Sequence, residues 1–526
     1  MISRRTLLAA TAGSLAMPAV GRAAGPSVLR FVPQADLAVL DPIASYAYVT
    51  RNHALMVFDT LYGIDIHNRP QPQMVAGHLV EDDGLRWTLT LRDGLRFHDG
   101  TPVLSRDVVA SLRRWAKRDN VGQALWAVVD ELSAPDDRTI RFRLKVPFPM
   151  LPAGLGKVGT NLAAIMPERL AAADSALPLT EMVGSGPFRF LPAERVSGAR
   201  VAYARFADYV PRPDGTTSVL AGPKRAHFDR VEWTTMPDVA TAAAALQAGE
   251  IDWWEQPAPD YWSTLRRNPA LTVRNIEPYG QAGVIRFNFL QSPTNNPALR
   301  RAALAAVSQA DVMTAIAGED RSTWKDHVGF FLPGTPMASD VGMSAIKEPP
   351  DRAAARKMLE ASGYGGERIV FLLQSDIAAM KAQGEVVADA LQQIGMRIEL
   401  QVMDWGTLLA RANSRQPPDK GGWHIFGSLT VGVGVLDPAG NNFLRGSGTI
   451  AIYGWPDIPE LETLRTTWFR APDDAARAAI CARIQAVAFE QVPYIPTGMY
   501  LPQTATRADI VDVQQGLPLF YGVSRA

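Results

Sequence analysis

The chain is predicted to fold as an α/β protein of two or three domains, on three observations. β-branched runs such as Ile369–Leu373 and Arg397–Val402 alternate with Ala-rich helical stretches in the second half. Shorter segments in the first half alternate polar and apolar residues, the period of a half-buried strand. Finally, 526 residues that are 47% hydrophobic and 20% charged supply enough apolar mass for several cores, at roughly 100–200 residues per domain.

Taken in order, residues 1–24 read as an export signal. Arg4 and Arg5 precede an uncharged stretch from Thr6 to Met17, Pro18 breaks it, and Gly21, Ala23 and Ala24 suit a peptidase. Ser3–Leu8 resembles the twin-arginine export motif, with Ala9 where that motif often has Lys; an ordinary secretory signal is the alternative. With no cysteine near the cleavage point to carry a lipid, a soluble periplasmic protein is expected. Val28–Val32 is then a strand and Leu40-Asp41-Pro42 a turn. Leu55, Val57, Phe58 and Leu61 at helical spacing predict a helix over Asn52–Tyr62. Arg86–Arg92 and Thr139–Leu144 alternate as strands. Ser105 is expected to N-cap a helix that has Asp107 in its first turn and Val108, Val109, Leu112 and Trp115 as its apolar stripe. Gly184–Pro187 reads as a turn entering the strand Phe188–Leu191. The strand Gly283–Phe289 runs into the polar turn Gln291–Pro297, and helices are expected at Pro297–Ile316, Asp351–Ser362, Lys381–Ile394 and Asp473–Val487.

Composition excludes several chemistries. Lys plus Arg and Asp plus Glu balance at 53 each, so there is no general positive field to hold nucleic acid. Cys481 is the single cysteine, which rules out an internal disulfide, a thiolate zinc site and an iron–sulfur cluster held by this chain alone. The seven histidines stand at no metal-ligand spacing, and no metal or cofactor is expected. No Gly-x-Ser-x-Gly pentad marks a hydrolase elbow. His98, followed by Asp99-Gly100-Thr101-Pro102, is explained by turn chemistry rather than catalysis. Glu250 and Asp252 are expected to end a helix and start a strand at the surface rather than to act as an acid/base pair.

Trp87–Val109, with its Arg-Asp-Gly-Leu-Arg-Phe-His-Asp-Gly-Thr-Pro core, resembles the signature of family 5 extracellular solute-binding proteins, the peptide, nickel and oligosaccharide receptors of ABC importers. Further blocks resemble the same family in the same order. They include Phe58–Tyr62, Gly184–Phe188, Ala245–Asp252, Phe287–Phe289, Pro297–Leu304, Ala355–Leu359, Leu391–Met396 and Val492–Pro496. The resemblance implies two α/β lobes joined by a hinge, a two-lobed periplasmic binding protein of the large three-domain form. Lobe I would comprise 25–68, 183–285 and 495–526, an inserted domain 69–182, and lobe III 286–494. It implies a monomer that captures a small-molecule or peptide-like ligand between the lobes and delivers it to the permease subunits of an ABC importer, without enzymatic activity. A secreted hydrolase and an exported chaperone or adhesive module are the alternatives.

The same resemblance implies site residues. Tyr46, Ala47 and Tyr48 match a stretch facing extended ligands, Tyr279 and Gln281 a second wall, and Trp405 an aromatic roof. Gly432 and Gly434 match a strand that pairs with the ligand. In peptide-binding members an acidic residue four positions before the Pro of an Asp/Glu-Pro pair holds the α-ammonium; before Asp437-Pro438 that position is Gly434. An enclosed ammonium without a carboxylate costs several kcal/mol, so an α-amino-blocked, cyclic or uncharged solute is expected. Asp404 is the acid with a route around this argument. A nickel ligand is disfavoured because Ala439–Ile452 lacks histidine. Arg445 and Asp404 are expected to be solvated surface charges outside the site.

Overall fold

Val28–Val32 lies inside a seven-stranded sheet in the computed structural model, which describes residues 27–175 and 177–526. The expected export signal at 1–24 lies outside the described residues. The sheet runs Leu271–Arg274, Thr504–Arg507, Trp253–Trp254, Val28–Val32, Arg230–Thr234, Arg200–Arg205, Phe188–Phe190. Val28–Val32 is parallel to both of its neighbours. Both faces of such a strand are covered, and Phe31 on it is fully buried against the rings of Trp233, Trp253 and Phe520. This is the sheet of lobe I.

Lobe III is built on a six-stranded mixed sheet, ordered Trp324–Lys325, Tyr494–Tyr500, Gln281–Phe287, Ile425–Val431, Arg368–Gln374, Arg397–Met403. Gln281–Phe287 is antiparallel to both neighbours and buried at every residue. Arg286 is fully enclosed there, donating to the carbonyls of Phe443 (3.2 Å) and Tyr453 (2.7 Å). Burial without a carboxylate pulls its pKa down to about 10. The inserted domain is an antiparallel sheet of Val75–Glu81, Arg86–Leu91, Thr139–Leu144 and Val129–Ser133. The helix Ser105–Ala116 shares its core through Val108, Leu112 and Trp115.

The chain crosses between the two lobes at residues 275–280 and 501–503, each joining a strand of one sheet to a strand of the other. The crossings are tied by Asn275 Nδ2 donating to the Pro502 carbonyl (2.8 Å). Strands Gln281–Phe287 and Tyr494–Tyr500 therefore belong wholly to lobe III, and the expected joins at 285/286 and 494/495 cut through them.

Other expectations shift for local reasons. The helix expected over Asn52–Tyr62 spans Tyr48–Val57. Beyond it Asp59 leaves the helical path to meet Lys224 Nζ at 2.7 Å in a buried ion pair. Ser105 is not the cap: Leu104 holds that position, its N–H donating to Asp107 (2.9 Å), while Ser105 Oγ donates to the Asp136 carbonyl. The long helix expected at Pro297–Ile316 is two, Pro297–Ala306 and Gln309–Ala317, because Ser308 caps the second through the Asp311 N–H (2.9 Å). Asp252 is not at the surface; it is buried, accepting from the Arg30 N–H (2.8 Å) and from Arg525 Nη2 (2.8 Å). His98 is structural as read. Its Nε2 reaches the Gly186 carbonyl (3.0 Å), its Nδ1 accepts from the Gly184 N–H (3.4 Å), and burial lowers its pKa to about 4.

Candidate ligand-binding cleft

Between the lobes lies a cavity of about 1750 Å³, lined by segments of lobe I, lobe III and the inserted domain. Of the residues singled out by sequence, Tyr46, Ala47, Tyr48, Tyr279, Gln281, Trp405 and Gly434 line it and Gly432 does not. Tyr46 leaves 46% of its surface free, so its ring is available as a stacking face. Tyr48 is committed instead. Its hydroxyl accepts from the Val431 N–H (2.9 Å) and bonds Thr430 Oγ1 (2.9 Å), joining lobe I to lobe III. Burial raises its pKa, so the phenol stays neutral.

Gly432 and Gly434 are not on the strand, which ends at Val431; they form a single 3-10 turn after it. Gly432 is needed for backbone approach. A Cβ there would meet the Tyr279 carbonyl oxygen at 1.9 Å, and the Gly432 N–H donates to the Gly280 carbonyl at 2.7 Å. Gly434 differs: a Cβ would stand 3.3 Å from Thr430 Oγ1 and 3.9 Å from the Tyr48 hydroxyl. The position that carries an acid in peptide-binding members thus looks onto two neutral hydroxyls. The edge available to a ligand is Ser428–Val431, which lines the cavity ahead of the turn.

Gln281 is buried and accepts from the Tyr500 hydroxyl (3.0 Å). Trp405 opens the helix Trp405–Ala412, half-buried against a cluster containing Leu408, Trp423 and Trp455. Its N–H donates to Asp376 (2.9 Å). Asp404 caps that helix through the Thr407 N–H (3.0 Å), lies outside the cavity lining, and offers no route for a carboxylate into the cleft. Arg445, expected on the solvated surface, is a correction. Its side chain is only 12% exposed, lines the cavity, and donates to Asn120 Oδ1 of the inserted domain (2.7 Å). Asp437 also lines the cavity; its carboxylate accepts from the Gly440 N–H (3.0 Å), and desolvation raises its pKa.

Sequence reasoning missed the contribution of the inserted domain, including Arg118, Asn120 and Lys157. The one local signal was Asp119 as a helix cap, which marks a helix start and says nothing of a cleft. It also missed a buried charge group close to Tyr48. Arg51 stacks over the Tyr48 ring (4.9 Å), with Glu255 and Glu277 as its nearby carboxylates. Glu255 accepts from Asn52 Nδ2 (3.0 Å) and the Gln34 N–H (2.7 Å). Burial raises both carboxyls to about 7 in spite of Arg51. Among the described residues no group of His, Cys, Asp and Glu could hold a metal ion, and no helix is long and apolar enough to cross a membrane.

The cleft is of a kind already seen. A periplasmic protein AgaA from A. tumefacien R10, solved with agropinic acid, superposes with TM-score 0.80 at 20% identity, covering 95% of this chain and 99% of that one. DppA from Helicobacter pylori, solved with the peptide STSA, gives 0.77 at 21% identity over 95% and 98%. In sequence, a probable peptide ABC transporter periplasmic-binding protein, y4tO of Sinorhizobium fredii, is 35% identical over the whole of both chains. The glutathione-binding protein GsiB of Salmonella typhimurium is 26% identical over 76% of this chain and 74% of its own. Residues 69–444 match the description of bacterial extracellular solute-binding proteins, family 5. Together with the hinged two-lobed fold and the enclosed cleft, this match places the chain: it belongs to family 5 of the bacterial extracellular solute-binding proteins.

Proposed function

We propose that the protein captures one peptide-like or related small solute that lacks a free α-ammonium, in the periplasm, as a soluble monomer. Family 5 members are the solute-binding, non-enzymatic components of ABC importers, and this chain is one of them. The observation that carries the ligand class is the surroundings of Gly434. An acid there would compensate an ammonium; the Tyr48 and Thr430 hydroxyls that face it are neutral. Tyr46, Tyr279 and Trp405 supply aromatic faces, Ala47 and Gly434 leave room beside the backbone, and Gln281 contributes a polar edge held by Tyr500. The relatives support a peptide-like or related solute and no finer class: a peptide in one solved structure, agropinic acid in another, and glutathione in the name of a third protein.

Capture works through closure. Contacts to both lobes form only when the cleft shuts, so the ligand stabilises the shut form by its differential affinity. The shut form is what the permease of an ABC importer would receive. Export through the twin-arginine-like segment would bring the folded chain to that compartment. The test is competition between matched free and N-acetylated peptides, alongside neutral oligosaccharides, followed by titration calorimetry. Blocked or uncharged solutes are expected to bind without turnover. Tight binding of free peptides that is lost on acetylation overturns the reading, and product formation would return the hydrolase.

A further inference from the structure

The cleft is not electrically uniform, and its cations concentrate where the inserted domain meets lobe III. The join between the helices Ser105–Ala116 and Asn120–Val128 supplies Arg118 and Asp119, with Asn120 opening the second helix. Asp119 is already used: one oxygen caps the second helix through the Val121 N–H (2.9 Å) and Gly122 N–H (3.0 Å), and the other pairs with Lys157. Arg118 lines the cavity with no ion pair or hydrogen bond to its guanidinium among the described residues. From lobe III, Arg445 lines the same cavity and is anchored by Nη1 on Asn120 Oδ1 (2.7 Å), two residues along the chain from Arg118. Its Nε lies 3.5 Å from Glu462, where it makes an ion pair but no hydrogen bond. That single Glu462 oxygen also serves Arg465 (3.7 Å) and the Gly446 N–H (2.8 Å). Positive charge is therefore in excess: Arg118, Lys157, Arg445 and Arg465 meet Asp119 and Glu462, with Asp437 the next acid around Arg465. Tyr46 stands close enough to feel both Arg118 and Arg445.

We propose that Arg118 and Arg445 together hold an anionic group of the solute, of the carboxylate class, across the junction of the inserted domain and lobe III. Guanidinium forks suit such a group because they donate paired N–H bonds in its plane. The two arginines belong to different bodies of the molecule. An anion between them is met by a free guanidinium on one side and by an arginine that shares its one carboxylate on the other, and so favours the shut form. The inserted domain then takes part in recognition rather than serving as an outrigger. With the α-ammonium position neutral, the solute is acidic or singly anionic rather than zwitterionic. This assignment rests on the solute-capture reading above.

The experiment is a paired panel: N-acetyl tripeptides as C-terminal acids and as C-terminal amides, and sugar acids beside the corresponding neutral sugars. Affinities are measured by calorimetry for the parent, Arg118→Gln, Arg118→Lys and Arg445→Gln. Acids are expected to bind about tenfold or more tighter than their neutral partners, the order of one charge-assisted bond pair. Arg118→Gln should weaken acids by a larger factor than neutral members, so that the preference collapses, and Arg118→Lys should restore part of it. The Arg118 guanidinium makes no hydrogen bond or ion pair among the described residues, so its variants also control for misfolding at Arg445. Neutral members binding as tightly as acids, or Arg118→Gln weakening both equally, overturns the anion site and leaves solute capture standing. Binding of neither class counts against capture and the anion site together.

Discussion

Glu277 shows how far a single side chain can depart from what its sequence neighbourhood suggests. Between Ile276 and Pro278 it reads as a charged residue at a bend, yet it is buried within the interlobe crossing with Glu255 and Arg51 as its charged neighbours. Burial raises both carboxyls from 4.5 to about 7. The folded chain therefore keeps protons that the unfolded chain releases between those values. The resulting stability is fully present below about 4.5, falls as pH rises through the window, and levels off above about 7. Glu277→Gln, which stays neutral throughout, should gain on the parent by roughly 2 kcal/mol between about pH 5 and about pH 8. Denaturant unfolding at the two pH values measures this difference; an unchanged difference would mean that Glu277 is not desolvated.

At the scale of an element, the turn after Ile425–Val431 carries two glycines with opposite duties. Gly432 lets the chain pass against the Tyr279 backbone, so Gly432→Ala drives a methyl into the Tyr279 carbonyl oxygen and its neighbours. A clash with backbone cannot be relieved by a rotamer change, and a loss of about 3 kcal/mol or more is expected. Gly434→Ala meets Thr430 Oγ1 at 3.3 Å, a side-chain atom able to give, and should cost less than about 1 kcal/mol. Thermal melts of the two variants check the contrast, and equal losses would refute it. In sequence the two glycines are alike within the run Val431-Gly-Val-Gly-Val435. Only the arrival of Tyr279 from the interlobe crossing tells them apart.

For the whole molecule, lobe I and the inserted domain meet lobe III through polar and aromatic contacts beside shared apolar packing. Tyr48 bonds Thr430, Arg445 bonds Asn120, and Phe148 of the inserted domain stacks on Phe469 with centroids 5.7 Å apart. Two short crossings hold the lobes on the other side. A solute that contacts both sides would stabilise the closed arrangement by its differential affinity. Small-angle scattering on the protein with a solute found by the competition series should show a smaller radius of gyration than without it. An unchanged radius at saturation would exclude closure by that solute.

The order of strands and helices and the positions of most element centres were legible in the chain itself, because hydrophobic period and turn chemistry are local properties. The family blocks extended this to the two-lobed plan and to seven of the eight named residues that line the cleft. Boundaries moved wherever a distant partner intervened: Asp59 leaving its helix for Lys224, Ser308 splitting a long helical stretch, and two strands joining lobe III rather than lobe I. The charges of the cleft were decided by tertiary structure alone. Arg445, Arg118, Glu255 and Glu277 look like ordinary surface charges in sequence. What each one does depends on desolvation and on partners from segments up to hundreds of residues away, and neither is encoded in its neighbours along the chain.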